Sequence, residues 1–240
     1  MRKPSSVHPA NLGLFPGTTP LGRYTRRGRT SSWHGVFASE KGLGPTPFRS
    51  LLERDLQTLL TANPDVKAYA VEPHMLHFFM PNGRGGSDVR MYIPDVVVID
   101  RKDRIAIIEA KAKGLSTSPR WQAREPLIRE AYAVDHGVRF VVLDEDAIRL
   151  QPRLSNCEIM LRHREPGADD EALMAVRDAI AALGVPTTIG AVTARAGLVS
   201  APGEDRAFTA LMRLALAGEI ALDLSAPFSA FTTVDARIAP

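Results

Sequence analysis

Two carboxylates and an ammonium bracket a pair of apolar runs. Asp95 precedes Val96-Val97-Val98-Ile99, and Ile105-Ala106-Ile107-Ile108 leads into Glu109-Ala110-Lys111. Between the runs lies the charged stretch Arg101-Lys102-Asp103-Arg104, so the whole reads as a β-hairpin. A hairpin centred on Lys102 sets Asp95 directly opposite Glu109, where facing Cβ atoms are roughly 4.5 to 5.5 Å apart. The two-residue period puts Lys111 on the same face, roughly 6.6 Å further along. Buried charges must be paired or metal-bound, which leaves two readings of this spacing, an ion cluster at a sheet end or a catalytic centre.

The catalytic reading has definite chemistry. Mg²⁺ prefers oxygen ligands and commonly takes only one or two carboxylates from a protein. Asp95 and Glu109 supply two, and the Ala110 carbonyl offers a third oxygen. A metal there, Mg²⁺ or Mn²⁺ in its place, lowers the pKa of bound water and offsets charge on a phosphoryl group. Lys111 is placed to orient that water or to stabilise the crowded phosphate. Such a set suits metal-assisted phosphodiester hydrolysis. Rival chemistries lack their residues. His74 and His77 have neither the spacing nor the helix of a zinc protease, and Asn82-Gly83-Arg84-Gly85-Gly86 lacks the Gly-Lys-Ser/Thr of a phosphate loop.

A helix upstream is the candidate to complete the site. Thr46 is its predicted cap, Pro47 its first residue, and Phe48, Leu51, Leu52, Leu56, Leu59 and Leu60 its apolar stripe. Glu53 falls at the stripe's edge, where it can reach a metal directly or through water, or else remain an ordinary boundary glutamate. Asp55, nearer the stripe's centre, is its rival.

The remaining elements frame these residues. Strands are expected over 66–71 and 75–80, the loop 82–86 should lead into the strand carrying Asp95, and a mostly polar helix should run over about 119–136. A short strand follows at 140–143. The result is a mixed α/β sheet flanked by helices. Beyond a linking helix at about 156–164, three helices and a terminal hairpin describe a winged helix. The division is thus an extended basic arm over 1–45, a first domain over 46–153, and a linker helix with winged helix over 154–240.

Charge is unevenly shared along the 240 residues. Residues 1–50 hold eight Lys/Arg and one Glu, residues 51–164 hold 17 basic and 16 acidic side chains, and residues 165–240 hold five basic and ten acidic. Arg23, Arg26, Arg27 and Arg29, with Tyr24 and Trp33 nearby, can follow a phosphate backbone or form a solvated basic tail. The near-neutral middle predicts that any DNA is held mainly by this arm or by partners. The acidic winged helix, whose recognition-position helix carries Arg206 and Arg213, suits protein docking better than DNA reading. The lone Cys157 cannot form an internal disulfide, the N terminus has no apolar signal core, and no run of 18 uncharged apolar residues occurs. A cytoplasmic protein without membrane association is expected.

Pro94-Asp95 with Glu109-Ala110-Lys111 resembles the PD-(D/E)-x-K nuclease signature. Further stretches sharpen the likeness: Ser50-Leu51-Leu52-Glu53-Arg54-Asp55, Asn63-Pro64-Asp65-Val66, 140–145 followed by Ala147-Ile148-Arg149, and Phe231-Thr232-Thr233-Val234. Together they resemble the TnsA endonuclease family, partners of DDE transposases. The resemblance implies a restriction-endonuclease-like fold and a winged helix. By position, Glu53, Asp95 and Glu109 match the acidic metal motif and Lys111 the catalytic lysine. Some members carry glutamine where Glu109 stands. Lys113 is a spare ammonium predicted on the same face and a further candidate for contacting DNA. The family's activity is nicking of the 5′ ends of a mobile element, and its C-terminal domain contacts an AAA+ regulator. A stand-alone phage or restriction-type nuclease and a non-catalytic adaptor for DNA and protein remain the alternatives.

Overall fold

Two apolar runs of strand length and their turn chemistry fix the hairpin first. In the computed structural model, which describes residues 8–22, 33–164, 167 and 169–237, Val96–Asp100 forms β6 and Ile105–Ala110 forms β7. Val96 faces Ile108, Val97 faces Ile107, Val98 faces Ala106 and Ile99 faces Ile105. That is the register centred on Lys102, and one step further it sets Asp95 against Glu109. The turn is held by the Asp100 carboxylate, which accepts from the Lys102 and Arg104 N–H groups at 2.8 and 2.9 Å.

The other elements, in chain order, are β1 (Gly35–Val36), β2 (Pro47–Phe48), α1 (Leu51–Ala62), β3 (Val66–Val71), β4 (Leu76–Pro81) and β5 (Ser87–Tyr92) before the hairpin. After it come α2 (Lys113–Ser116), α3 (Pro119–Ala131) with a π-helical turn at Tyr132–His136, β8 (Arg139–Leu143) and α4 (Glu145–Ile148). The central sheet has the order β3-β6-β7-β8, antiparallel except for the parallel β7–β8 pair. Helices pack on both faces. The α1 residues Leu52, Leu56 and Leu60 bury against Val96, Val98 and Ile108 on one face. On the other, Val97, Ile99 and Ile107 meet Ile128, Tyr132 and Phe140 with Leu76, Phe78 and Tyr92. This is the mixed α+β architecture expected.

Three details differ from expectation. Residues 82–86 do not lead into the strand carrying Asp95; they join β4 to β5 in a separate antiparallel hairpin, and Asp95 follows after the break at Ile93-Pro94. The first helix begins later than the Thr46-Pro47 signal implies. Pro47–Phe48 pairs with Gly35–Val36 instead, and the buried Thr46 hydroxyl donates to the Phe37 carbonyl. Finally, the described parts of the N-terminal stretch are not an extended arm. A 3-10 turn at Pro9–Leu12 places Leu12 and Leu14 in the core. Gly13 (φ +75°) crosses so close to Pro73 that a Cβ would lie 2.5 Å from that residue's Cβ, so the crossing requires glycine. Arg23, Tyr24, Arg26, Arg27 and Arg29 lie outside the described residues.

The chain forms two compact units, one of the described residues through Leu60 with Val66–Arg149, the other of Thr61–Asp65 with the described residues from Leu150 onward. The second contains α5 (Arg153–Arg162), α6 (Asp170–Leu183), β9 (Thr187–Thr188), α7 (Ile189–Ala196), α8 (Arg206–Ala217), β10 (Ile220–Leu222) and β11 (Thr233–Ala236). The strand β11 pairs with both β10 and β9, giving the helix, strand, helix, helix and wing order of a winged helix. Its core runs through Val176, Val192, Leu211, Met212 and Val234. The buried Asn156 ties α5 to the loop 224–228, donating to the Leu224 and Ala226 carbonyls and accepting from the Phe228 N–H. No helix among the described residues is long and apolar enough to cross a membrane.

Candidate functional site

Glu109 occupies the end of β7 on the α3 face of the sheet and is 3% exposed. A carboxylate so deeply placed must be satisfied, and each of its oxygens is. The Lys111 ammonium lies 2.5 Å from Oε1, and the Tyr92 hydroxyl donates to Oε2 at 2.5 Å. Tyr92 ends β5, so the β4–β5 hairpin orients a residue of the central sheet. Burial and the Glu109 charge push the Tyr92 phenol well up, with Asp95 adding to the effect. It is a donor throughout the working pH range. Lys111 sits over the Trp121 ring of α3, 4.3 Å from its centroid, a cation–π contact that confines the ammonium between indole and carboxylate.

Asp95 faces Glu109 from the start of β6. Its Oδ2 accepts from the Ala110 N–H at 2.8 Å, tying it across the hairpin beside Lys111. Burial, the Glu109 charge and the Glu53 charge, in that order, hold its carboxyl well above the usual range, opposed by the Ala110 N–H and Lys111. The expected trio of Asp95, Glu109 and Lys111 is thus assembled on one face.

Glu53 is near but differently employed. With Ser50 it caps α1 in a variant of the capping box: the Glu53 N–H donates to the Ser50 hydroxyl oxygen at 3.2 Å, and the Glu53 carboxylate accepts from the N–H of Arg49, one residue before the cap, at 2.8 Å. Its other oxygen accepts from the Ser50 hydroxyl at 3.0 Å. The reason is the layering of the fold, because α1 packs on the sheet face opposite Glu109 and only its N-terminal end approaches Asp95. Asp55, the rival, is structural. It is buried between Arg54 and Arg149, each within 2.6 Å.

Lys113 is not a spare ammonium on the site face. It opens α2, where its N–H donates to Glu145 at 2.8 Å and its ammonium pairs with Asp146. The strand period ends at Ala110, so counting by twos no longer applies two residues beyond Lys111. In the winged helix, Arg206 is held by Asp169 and Glu171 and Arg213 by the Gly167 carbonyl. The Arg206 bond draws the Asp169 carboxyl down to about 2. Neither arginine is left uncommitted for DNA.

Two site neighbours had no strong sequence signal. Tyr92 closes β5, a stretch that reads from sequence as the approach to the strand carrying Asp95. Glu72, at φ +45°, accepts from Arg49 at 2.7 Å. Its carboxyl is raised by burial, against Arg49, with Glu53 contributing, which makes it a further carboxylate of the same neighbourhood.

Among the described residues, no three carboxylate, imidazole or thiol side chains converge as a ready-made metal set. The facing pair Asp95 and Glu109 does suit a hard divalent cation, which needs only one or two carboxylates. The charged form of Asp95 in particular is disfavoured by burial and by the neighbouring Glu109 and Glu53 charges, and a cation offsets that charge. No protein-family model matches the chain, and no curated protein is significantly similar to it.

Proposed function

We propose that this protein is a divalent-metal-dependent DNA endonuclease of the TnsA type, nicking the 5′ ends of a mobile element as partner of a DDE transposase and an AAA+ regulator. The observation that carries the reading is the cross-strand pair of Asp95 and Glu109 with Lys111 on the same face, fixed in place by Tyr92 and Trp121. Perturbed, charge-coupled groups of this kind concentrate at functional sites. Asp95 and Glu109, with the Ala110 carbonyl and Glu53 nearby, are the residues that would hold Mg²⁺ or Mn²⁺. Such an ion supplies Lewis-acid activation of water and charge neutralisation at phosphorus.

The chain's own residues do the positioning. Tyr92 holds Glu109 in one orientation by donating to it, and the Ala110 N–H does the same for Asp95. The Lys111 ammonium, 22% exposed on its side chain, stands where buried carboxylate gives way to solvent. It can turn toward a non-bridging phosphate oxygen without leaving the indole face. The engaged Arg206 and Arg213 favour protein docking for the winged helix.

The test is nicking of end-containing DNA with Mn²⁺, with and without the transposase. Asp95→Ala and Lys111→Ala are each expected to reduce nicking by about 10² to 10³, the usual effect of removing one preorganised electrostatic group. Nicking by Asp95→Ala at the wild-type rate would refute the site. Full activity without any partner would favour the stand-alone nuclease.

A further inference from the structure

The near-neutral composition of residues 51–164 hides a local concentration of cations. A cleft of about 500 Å³ between α3 and the β4–β5 hairpin is lined by Met80, Arg90, Met91, Arg120 and Arg124, with no carboxylate in its lining among the described residues. A second hollow of about 150 Å³ shares Arg120 and Arg124 and adds Lys111, Ser118 and Trp121. The two form one basic track along α3 that ends at the site ammonium.

Folding engages these arginines only weakly. The helix α3 buries only Ile128, so its polar face is free to serve another purpose. On that helix Arg129 shows what a structural arginine looks like, paired with Glu125 and donating to the Phe140 carbonyl at 2.5 Å. The Arg120 side chain makes no hydrogen bond or ion pair among the described residues. Among the described residues Arg124 has no carboxylate partner; it lies 5.6 Å from the Phe78 ring centroid and donates weakly to the Met91 carbonyl at 3.4 Å. Among the described residues Arg90 is ion-paired only with the half-exposed Asp88. Guanidinium groups beside apolar side chains are weakly hydrated and present a planar fork that matches phosphate. Arg120 and Arg124, one helical turn apart, are separated by about 5 to 6 Å at Cβ, comparable to the spacing of successive phosphates along one strand.

We propose that this track, Arg90, Arg120 and Arg124 leading to Lys111, binds the phosphodiester backbone of DNA beside the bond that is cut. The proposal rests on the endonuclease reading, and it relocates DNA binding from the N-terminal arm to the body of the first unit. An acidic protein segment would also meet arginines, but phosphates match the spacing and the approach to Lys111.

Binding can be measured separately from cutting. Fluorescence anisotropy with a labelled duplex, on the full chain in chelator, reads affinity as salt is raised. Each phosphate contact contributes about 0.9 to the slope of log K against log salt. Arg120→Ala combined with Arg124→Ala should therefore lower that slope by about 1.8. Between about 50 and 200 mM salt the parent should lose roughly twelvefold more affinity than the double variant. Arg120→Ala alone should give about half the slope change, which guards against Arg124→Ala disturbing Phe78. An unchanged slope in both variants, or a parent that does not bind DNA, overturns the proposal. A reduced slope in a protein that never nicks DNA supports the track while refuting the endonuclease.

Discussion

Replacing Asp95 by Asn keeps the side chain's shape and its bond from the Ala110 N–H but removes one negative charge facing Glu109. Facing residues have Cβ atoms roughly 4.5 to 5.5 Å apart, and two charges at about that separation repel by about 3 kcal/mol at an effective dielectric near 20 once both carboxyls are ionised. Attraction to Lys111 offsets part of this, and a bond to a charged acceptor is worth about 1 kcal/mol more than one to a neutral amide. Asp95→Asn is therefore expected to stabilise the metal-free protein by roughly 1 to 2 kcal/mol, or about 2 to 8 °C in Tm for a unit of this size. Calorimetry in chelator measures it. The pH dependence provides an independent sign. Because the Asp95 carboxyl is raised, the folded state holds its proton where the unfolded chain has lost it. Stability then falls as pH rises from the ordinary carboxylate range through the raised one, and the Asn variant should lack that slope. Added Mn²⁺ at a hundred times its Kd should stabilise the wild type by about 2.7 kcal/mol and the variant by much less. An Asn variant that melts at or below the wild type without metal would refute the like-charge account of the site.

Tyr92→Phe removes the donor to Glu109 Oε2 and should cost about 1.5 to 3 kcal/mol in urea unfolding, the range for a buried bond to a charged group; nicking should fall with it. His74, bonded to the Leu12 carbonyl and the Tyr132 hydroxyl, has its pKa lowered to about 4 from 6.5, chiefly by burial. The unfolded chain binds that proton first, so stability should rise between about pH 4 and 6.5, by at most about 3 kcal/mol. His74→Gln should flatten that rise.

Much of the frame was legible in the residues. The Lys102-centred hairpin could be placed because two apolar runs of strand length flank one charged turn, and with it came the facing of Asp95 and Glu109. The winged-helix elements were legible from their punctuation, Asp169 and Asp205 as caps and Gly184, Gly197 and Gly218 as stops. The start of α1 was written locally too, in Ser50-Leu51-Leu52-Glu53, but the Thr46-Pro47 pair resembled a stronger signal. A two-residue strand pairing with Gly35–Val36 overrode it.

What the sequence by itself determined was therefore local: strand period, hairpin register, caps, and the residue types able to bind a metal or a phosphate. Tertiary structure decided which of those residues meet. Stacking α1 against one sheet face and α3 against the other brings Trp121 to Lys111 and leaves the locally capped Glu53 with its charge near Asp95. Pairing β5 with β4 delivers Tyr92 to Glu109. The same packing gathers Arg90, Arg120 and Arg124 from two elements into one cleft. Proximity between side chains on separate elements is set by how layers pack, and no spacing along one strand or helix encodes it.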